Sequence, residues 1–142
     1  MPSIDAPVSE IMQREFMHLS PDDGLDFVEE IMQLGRIRHF PVVDEGKLVG
    51  IVSQRDLLAA SLTRVLDFDG QERRTFLKSV LVREVMTPDA RTVSPDTTLR
   101  EVARIFERYK IGCVVVVEED GTPVGVVTET DLLARAYLIL DD

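Results

Sequence analysis

At 142 residues, with 44% hydrophobic and 30% charged side chains, the chain has the length and composition of a globular protein with room for a buried core, not of a disordered one. Its 16 Lys and Arg against 26 Asp and Glu leave a net charge of -10, which repels nucleic acid, and no basic run offsets it. No apolar stretch approaches the ~18 residues of a membrane span, residues 1–26 lack a basic-then-apolar leader, and the single Cys113 excludes an internal disulfide. A soluble, cytoplasmic protein is expected, with neither nucleic acid nor membrane as partner.

In chain order, Val8 to Met12 reads as a short amphipathic turn and Met17 to Leu19 as a brief extended segment. Ser20 and Ser94 are each expected to cap a helix, with Pro21 and Pro95 at the first position, where a missing N–H costs nothing. Leu25, Val28, Ile31 and Met32 recur at helical steps, and Gly35 closes that helix. Phe40 to Val43 and Leu48 to Val52 flank the turn residues Asp44-Glu45-Gly46, a hairpin pattern. A helix follows from Gln54 to Leu66. Asp67 to Gly70 reads as a turn, and Gln71 to Ser79, with Glu72-Arg73-Arg74 as a solvated face, reads as an additional helix.

From Val82 the chain starts over. Val8, Glu10 and Met12 align with Val82, Glu84 and Met86, and Ser20-Pro21-Asp22 with Ser94-Pro95-Asp96. Leu25, Val28, Ile31, Ile37, Val42 and Val43 align with Leu99, Val102, Ile105, Ile111, Val116 and Val117. After one inserted residue near Asp120, Gly46, Gly50 and Val52 meet Gly121, Gly125 and Val127, and Asp56-Leu57-Leu58-Ala59 meets Asp131-Leu132-Leu133-Ala134. This is a tandem duplication. The expected fold class is α/β (α+β). It comprises two β-α-β-β-α repeats, residues 1–66 and 82–142, joined by a linker over 67–81 that carries the extra helix. A unit that small needs a partner to cover its sheet, so the repeats are expected to pack about a pseudo-two-fold axis. Met12, Met32 and Met86 read as core filler.

One motif carries chemistry in both copies: Gly50-Ile51-Val52-Ser53-Gln54-Arg55-Asp56 and Gly125-Val126-Val127-Thr128-Glu129-Thr130-Asp131. A hydroxyl at a strand end and a carboxylate three residues on, at a helix start, form a capping box, which explains both copies without a ligand. The same geometry also suits a ribose 5′-phosphate. The helix N-terminus and hydroxyl favour an anion, and the carboxylate accepts from vicinal hydroxyls. The preceding glycine allows close approach of a ligand or another backbone.

These features together resemble a pair of CBS domains (the cystathionine-β-synthase repeat): the duplicated copies, the Ser-Pro-Asp starts, the Phe40-Pro41-Val42-Val43 strand and the Gly-x-x-Ser/Thr-x-x-Asp endings. The resemblance runs from about Val8 to Leu140. It implies a regulatory module that senses AMP, ADP, ATP or S-adenosylmethionine in clefts between the repeats and signals to an effector protein by a shift in conformation. It further implies that Asp56 and Asp131 bind ribose and that Ser53 and Thr128 face phosphate. Homodimers are also implied.

Arg38 and His39 stand where that family often carries phosphate-reaching basic residues; the alternatives are a surface cation and a structural histidine. Arg55 adds a further candidate phosphate contact. The second copy departs from this basic pattern, with Gly112, Cys113 and Thr130 at the corresponding places, of which Thr130 is carried as a phosphate-side candidate. Its cleft is expected to bind phosphate less well, to take a less charged ligand, or to take none. Phe40 and Pro41, and Val114 and Val115, are candidate walls for the base, with core packing expected for at least two of the four. Cys113 reads as a small buried apolar residue. Two histidines and one cysteine are too few for a His/Cys-rich metal site, and neither a phosphate loop nor a nucleophile–base pair stands out, so no catalytic residue, metal or cofactor is expected. The competing reading is a dimerisation or protein-interaction module without a ligand.

Overall fold

The computed structural model describes residues 3–35, 37–62 and 70–141, without the side chains of 61–62, 70–73 and 137–141. It divides into two compact units, residues 17–89 and residues 1–16 with 90–142. The first unit is built on α1 (Leu25–Gly35), the hairpin β1 (His39–Asp44) and β2 (Lys47–Ser53), α2 (Gln54–Leu62), α3 (Gly70–Ser79), α4 (Val82–Val85) and β3 (Thr87–Pro88). The second contains a single 3-10 turn at Val8–Glu10, β4 (Thr92–Val93), α5 (Leu99–Tyr109), the hairpin β5 (Cys113–Val117) and β6 (Pro123–Thr128), and α6 (Glu129–Asp141). The expected turn over 67–69, the Leu66 end of its helix and the Glu72-Arg73 face lie outside the described residues.

Each unit takes its opening turn from the other sequence repeat. Residues 8–13 open the first repeat, yet Val8 N–H donates to the Thr97 carbonyl at 2.7 Å, and Gln13 exchanges both backbone hydrogen bonds with Val126 of β6 at 2.8 and 3.0 Å. Val8 and Met12 are buried with Val102, Phe106, Val114 and Val127. Conversely, Val82 at the start of the second repeat is buried with Leu25, Val28, Phe40 and Val52. There β3 pairs antiparallel with β2, with Ile51 opposite Thr87. The two arrangements are the same, because Gln13 aligns with Thr87 and Val126 with Ile51.

The motif glycines permit this. A Cβ on Gly125 would lie 2.7 Å from Met12 Sδ, and one on Gly50 would lie 2.8 Å from Met86 Sδ and 2.9 Å from the Thr87 carbonyl oxygen. A side chain there would push the antiparallel partner off the sheet. The close approach left open by the sequence is therefore made by a neighbouring segment of this chain.

The hairpins form as expected, with different turns. Glu45 and Gly46 both have positive φ (51° and 80°), the conformation of a two-residue loop whose twist matches the flanking strands. The inserted residue lengthens the second loop, so that only Gly121 there is left-handed (φ 90°) and its N–H closes the turn on the Glu118 carbonyl at 2.9 Å. Both sheets gain a parallel neighbour from the extended segments: Leu19 bridges to Val42, and β4 pairs with β5 through Thr92–Val115 and Val93–Val116.

Ser20 and Ser94 do not cap helices. Ser20 N–H donates to Asp23 Oδ2 at 2.8 Å and Ser94 N–H to Thr97 Oγ1 at 3.1 Å, closing self-contained turns. The helices begin at Leu25 and Leu99, and Thr98 caps α5 by accepting from Glu101 N–H at 3.2 Å. Short polar side chains that bond two or three residues onward offer the backbone an alternative to a helix, and here the alternative wins.

Candidate functional site

In each unit the second hairpin strand ends on the hydroxyl residue, and the next residue begins a helix, so strand end and helix N-terminus form a corner. In the first unit, Ser53 N–H and hydroxyl donate to Asp56 Oδ2 at 2.8 and 3.0 Å, and Asp56 N–H returns a bond to Ser53 Oγ at 3.1 Å. In the second, Thr128 N–H and hydroxyl donate to Asp131 Oδ2 at 2.8 and 3.1 Å, and Asp131 N–H returns one to Thr128 Oγ1 at 3.4 Å. Both corners are complete capping boxes. They hold the two carboxylates half-buried at helix starts, where the partial positive charge of the helix favours anions.

The other oxygen of each carboxylate meets the opening segment taken from the other repeat. Thr87 hydroxyl donates to Asp56 Oδ1 at 3.4 Å. At Asp131 the aligned residue is Gln13, whose Nε2 lies 3.1 Å from Oδ1 and 3.2 Å from Oδ2. Neither Gln13 nor Thr87 was singled out from the sequence. The available signal was the register of the repeat, which sets position 13 over 87 immediately after the matching methionines.

Basic residues gather at the first corner. His39 lies opposite Ser53 in the β1–β2 register, and the Arg38 carbonyl accepts from Gln54 N–H at 2.8 Å. Burial of the imidazole, then the charge of Arg38, hold His39 below its usual 6.5 against an opposing pull from Asp56. Arg38, His39, Ser53 and Asp56 thus share one corner, with exposed Arg55 in the first turn of α2. A sign follows for stability. The unfolded chain takes up the His39 proton before the folded one, so this contribution is whole above pH 6.5 and declines as pH falls below it. Urea melts of His39→Gln are expected to show a shallower loss of stability than wild type as pH falls below 6.5, and parallel curves would refute that environment for the imidazole.

The second corner has a different charge. Gly112 replaces Arg38, and a Cβ there would sit 3.2 Å from Glu129 Oε1. Cys113 replaces His39; burial first, and then the Asp131 charge, push its thiol up to about 12, so it is protonated and inert at neutral pH. Thr130 is exposed in the first turn of α6. Of the candidate base-wall residues, Phe40 and Val114 lie inside the two hydrophobic cores. Pro41 and Val115 are also buried and, one residue further along each strand, point to the opposite face of the sheets. Among the described residues, no three His, Cys, Asp or Glu side chains gather as a metal site, and no helix is long and apolar enough to cross a membrane.

Residues 8–63 and 82–137 each match the CBS domain family. The chain belongs to the CBS domain family. An inosine-5′-monophosphate dehydrogenase of Korarchaeum cryptofilum is 35% identical over 122 residues, which is 86% of this chain and 22% of that protein. The CBS pair thus spans less than a third of the first curated relatives it matches, 22% of one and 30% of the next. Among solved structures, CBSX2 in complex with AMP is 26% identical with a TM-score of 0.79, covering 96% of this chain and 99% of that one. The CBS domain pair of protein MJ0100, in complex with 5′-methylthioadenosine and S-adenosyl-L-methionine, is 27% identical with a TM-score of 0.75, covering 94% and 97%.

Proposed function

We propose that this CBS pair is a non-catalytic regulatory module that binds an adenosine derivative at a hydroxyl–aspartate corner and passes the change in conformation to an effector protein. The observation that carries the reading is the first corner: Asp56 held at a helix N-terminus beside Ser53, with His39 opposite Ser53, Arg38 next to it and Arg55 exposed in the first turn of α2. A 2′,3′-diol donates to the carboxylate, a 5′-phosphate meets the cations and the hydroxyl, and Pro41 is the remaining candidate for the base from the first strand. An arriving phosphate reverses the balance at His39 by favouring the imidazolium. The complexes of CBSX2 with AMP and of MJ0100 with S-adenosyl-L-methionine support the ligand class. A second reading has its own observation. Both carboxylates are already satisfied as capping boxes, which fits a dimerisation module that needs no ligand.

Thermal melts with AMP, ADP, ATP and S-adenosylmethionine separate the two. A true ligand at 100 times its Kd adds about 2.7 kcal/mol to folding stability, and the midpoint rises. No rise with any of the four would favour the second reading, and turnover of any would overturn the non-catalytic one. A homodimer belongs to the same proposal. Leu58 and Leu133, at aligned positions, are each 56% exposed, and Leu133 lines an apolar groove of about 700 Å³ between α5 and α6 with Ala103, Phe106 and Leu132. Light scattering during the same titrations reads the assembly state.

A further inference from the structure

We propose that Gln13 closes the second corner, so that the chain takes a phosphorylated adenosine at Asp56 alone and leaves Asp131 unavailable to a ribose. The inference rests on the reading of the corners as ribose sites. A carboxylate offers about four lone-pair sites. At Asp131, Oδ2 accepts from the Thr128 N–H and hydroxyl, and the Gln13 amide reaches both oxygens. At Asp56, among the described residues, Oδ1 meets only the Thr87 hydroxyl, at 3.4 Å. The two blocking groups also differ in kind. A hydroxyl rotates and can accept from an incoming ribose, whereas the amide nitrogen only donates and must be moved aside.

Charge points the same way. Each corner carries its aspartate, but the second lacks the Arg38 and His39 of the first and adds Glu129, whose Oε1 would lie 3.2 Å from a Cβ on Gly112, so a phosphate there meets repulsion. The second corner, once opened, therefore takes a nucleoside with an uncharged 5′ end. The Gln13 backbone holds its place in the sheet through Val126, independent of its side chain, so the residue can be changed without undoing the fold.

Gln13→Thr copies the Thr87 arrangement into the second corner. Calorimetric titration of the full chain with AMP and with adenosine is the test. Wild type is expected to bind one AMP per chain. Gln13→Thr is expected to gain a second adenosine site at least tenfold tighter than any second site in wild type, and adding Asp131→Asn should remove it. Two equivalent sites in wild type, or a single site in Gln13→Thr, would overturn the role of Gln13 while leaving the Asp56 corner standing. Failure of every form to bind either compound would overturn the ribose reading of both corners and this inference with it.

Discussion

Asp56→Asn is expected to weaken AMP binding about 100-fold with little change in folding stability. The asparagine oxygen still accepts from Ser53 N–H, as Asp56 Oδ2 does at 2.8 Å, so α2 keeps its cap. What is lost is the charge. A hydrogen bond to a charged group contributes about 1.5–3 kcal/mol, and the substituted side chain also presents a donor where one of the ribose hydroxyls needs an acceptor. Losing about 2.8 kcal/mol is a 100-fold rise in Kd. Calorimetry reads the affinity, and a urea melt of the same sample checks the fold. An unchanged Kd in a folded variant would remove Asp56 from the ribose site. Asp131→Asn serves as the internal comparison, since with Gln13 in place the second corner should contribute little to AMP affinity.

Phe40→Ala should destabilise the first unit by about 3–5 kcal/mol, the range for deleting a buried aromatic ring. Phe40 is 0% exposed and packs among Leu19, Leu25, Val28, Val42 and Val52. These neighbours come from a bridge segment, a helix and two strands, so the cavity cannot close by moving one side chain. The denaturation midpoint in urea measures the loss. A shift worth less than about 1 kcal/mol would show that Phe40 is not a packed core residue. The outcome also bears on the base site. Folded variant protein that still binds AMP at wild-type affinity would leave Pro41 as the wall from this strand.

Much of the local architecture is legible in the sequence. The β-branched runs at 40–43 and 113–117, each followed by glycine-bearing turns, specify hairpins because side-chain period and turn chemistry act over a few residues. The extra helix over Gly70–Ser79 was visible for the same reason. Ser20 and Ser94 misled because a serine followed at +3 by Asp23 or Thr97 satisfies both a helix cap and a closed turn. The choice depends on where the next apolar face, beginning at Leu25 or Leu99, finds its core.

The site divides along the same line. Ser53 with Asp56, and Thr128 with Asp131, are three residues apart, and their reciprocal bonding is a property of any helix start with that spacing. The convergence of Arg38 and His39 on the same corner needed the strand register that places His39 opposite Ser53. Gln13 lies 118 residues from Asp131, and nothing in their local surroundings connects them.

By itself the sequence determined the duplication, the hairpins, the capping boxes and the uneven charge of the two motifs, all set by interactions within a few residues or by direct comparison of the halves. Only the tertiary structure decided that each opening turn joins the sheet of the other repeat, and so that Gln13 rather than Thr87 faces Asp131. Pattern and propensity specify what a segment is. Which of two nearly identical sheets it completes depends on long-range packing, here Met12 over Gly125 and Met86 over Gly50.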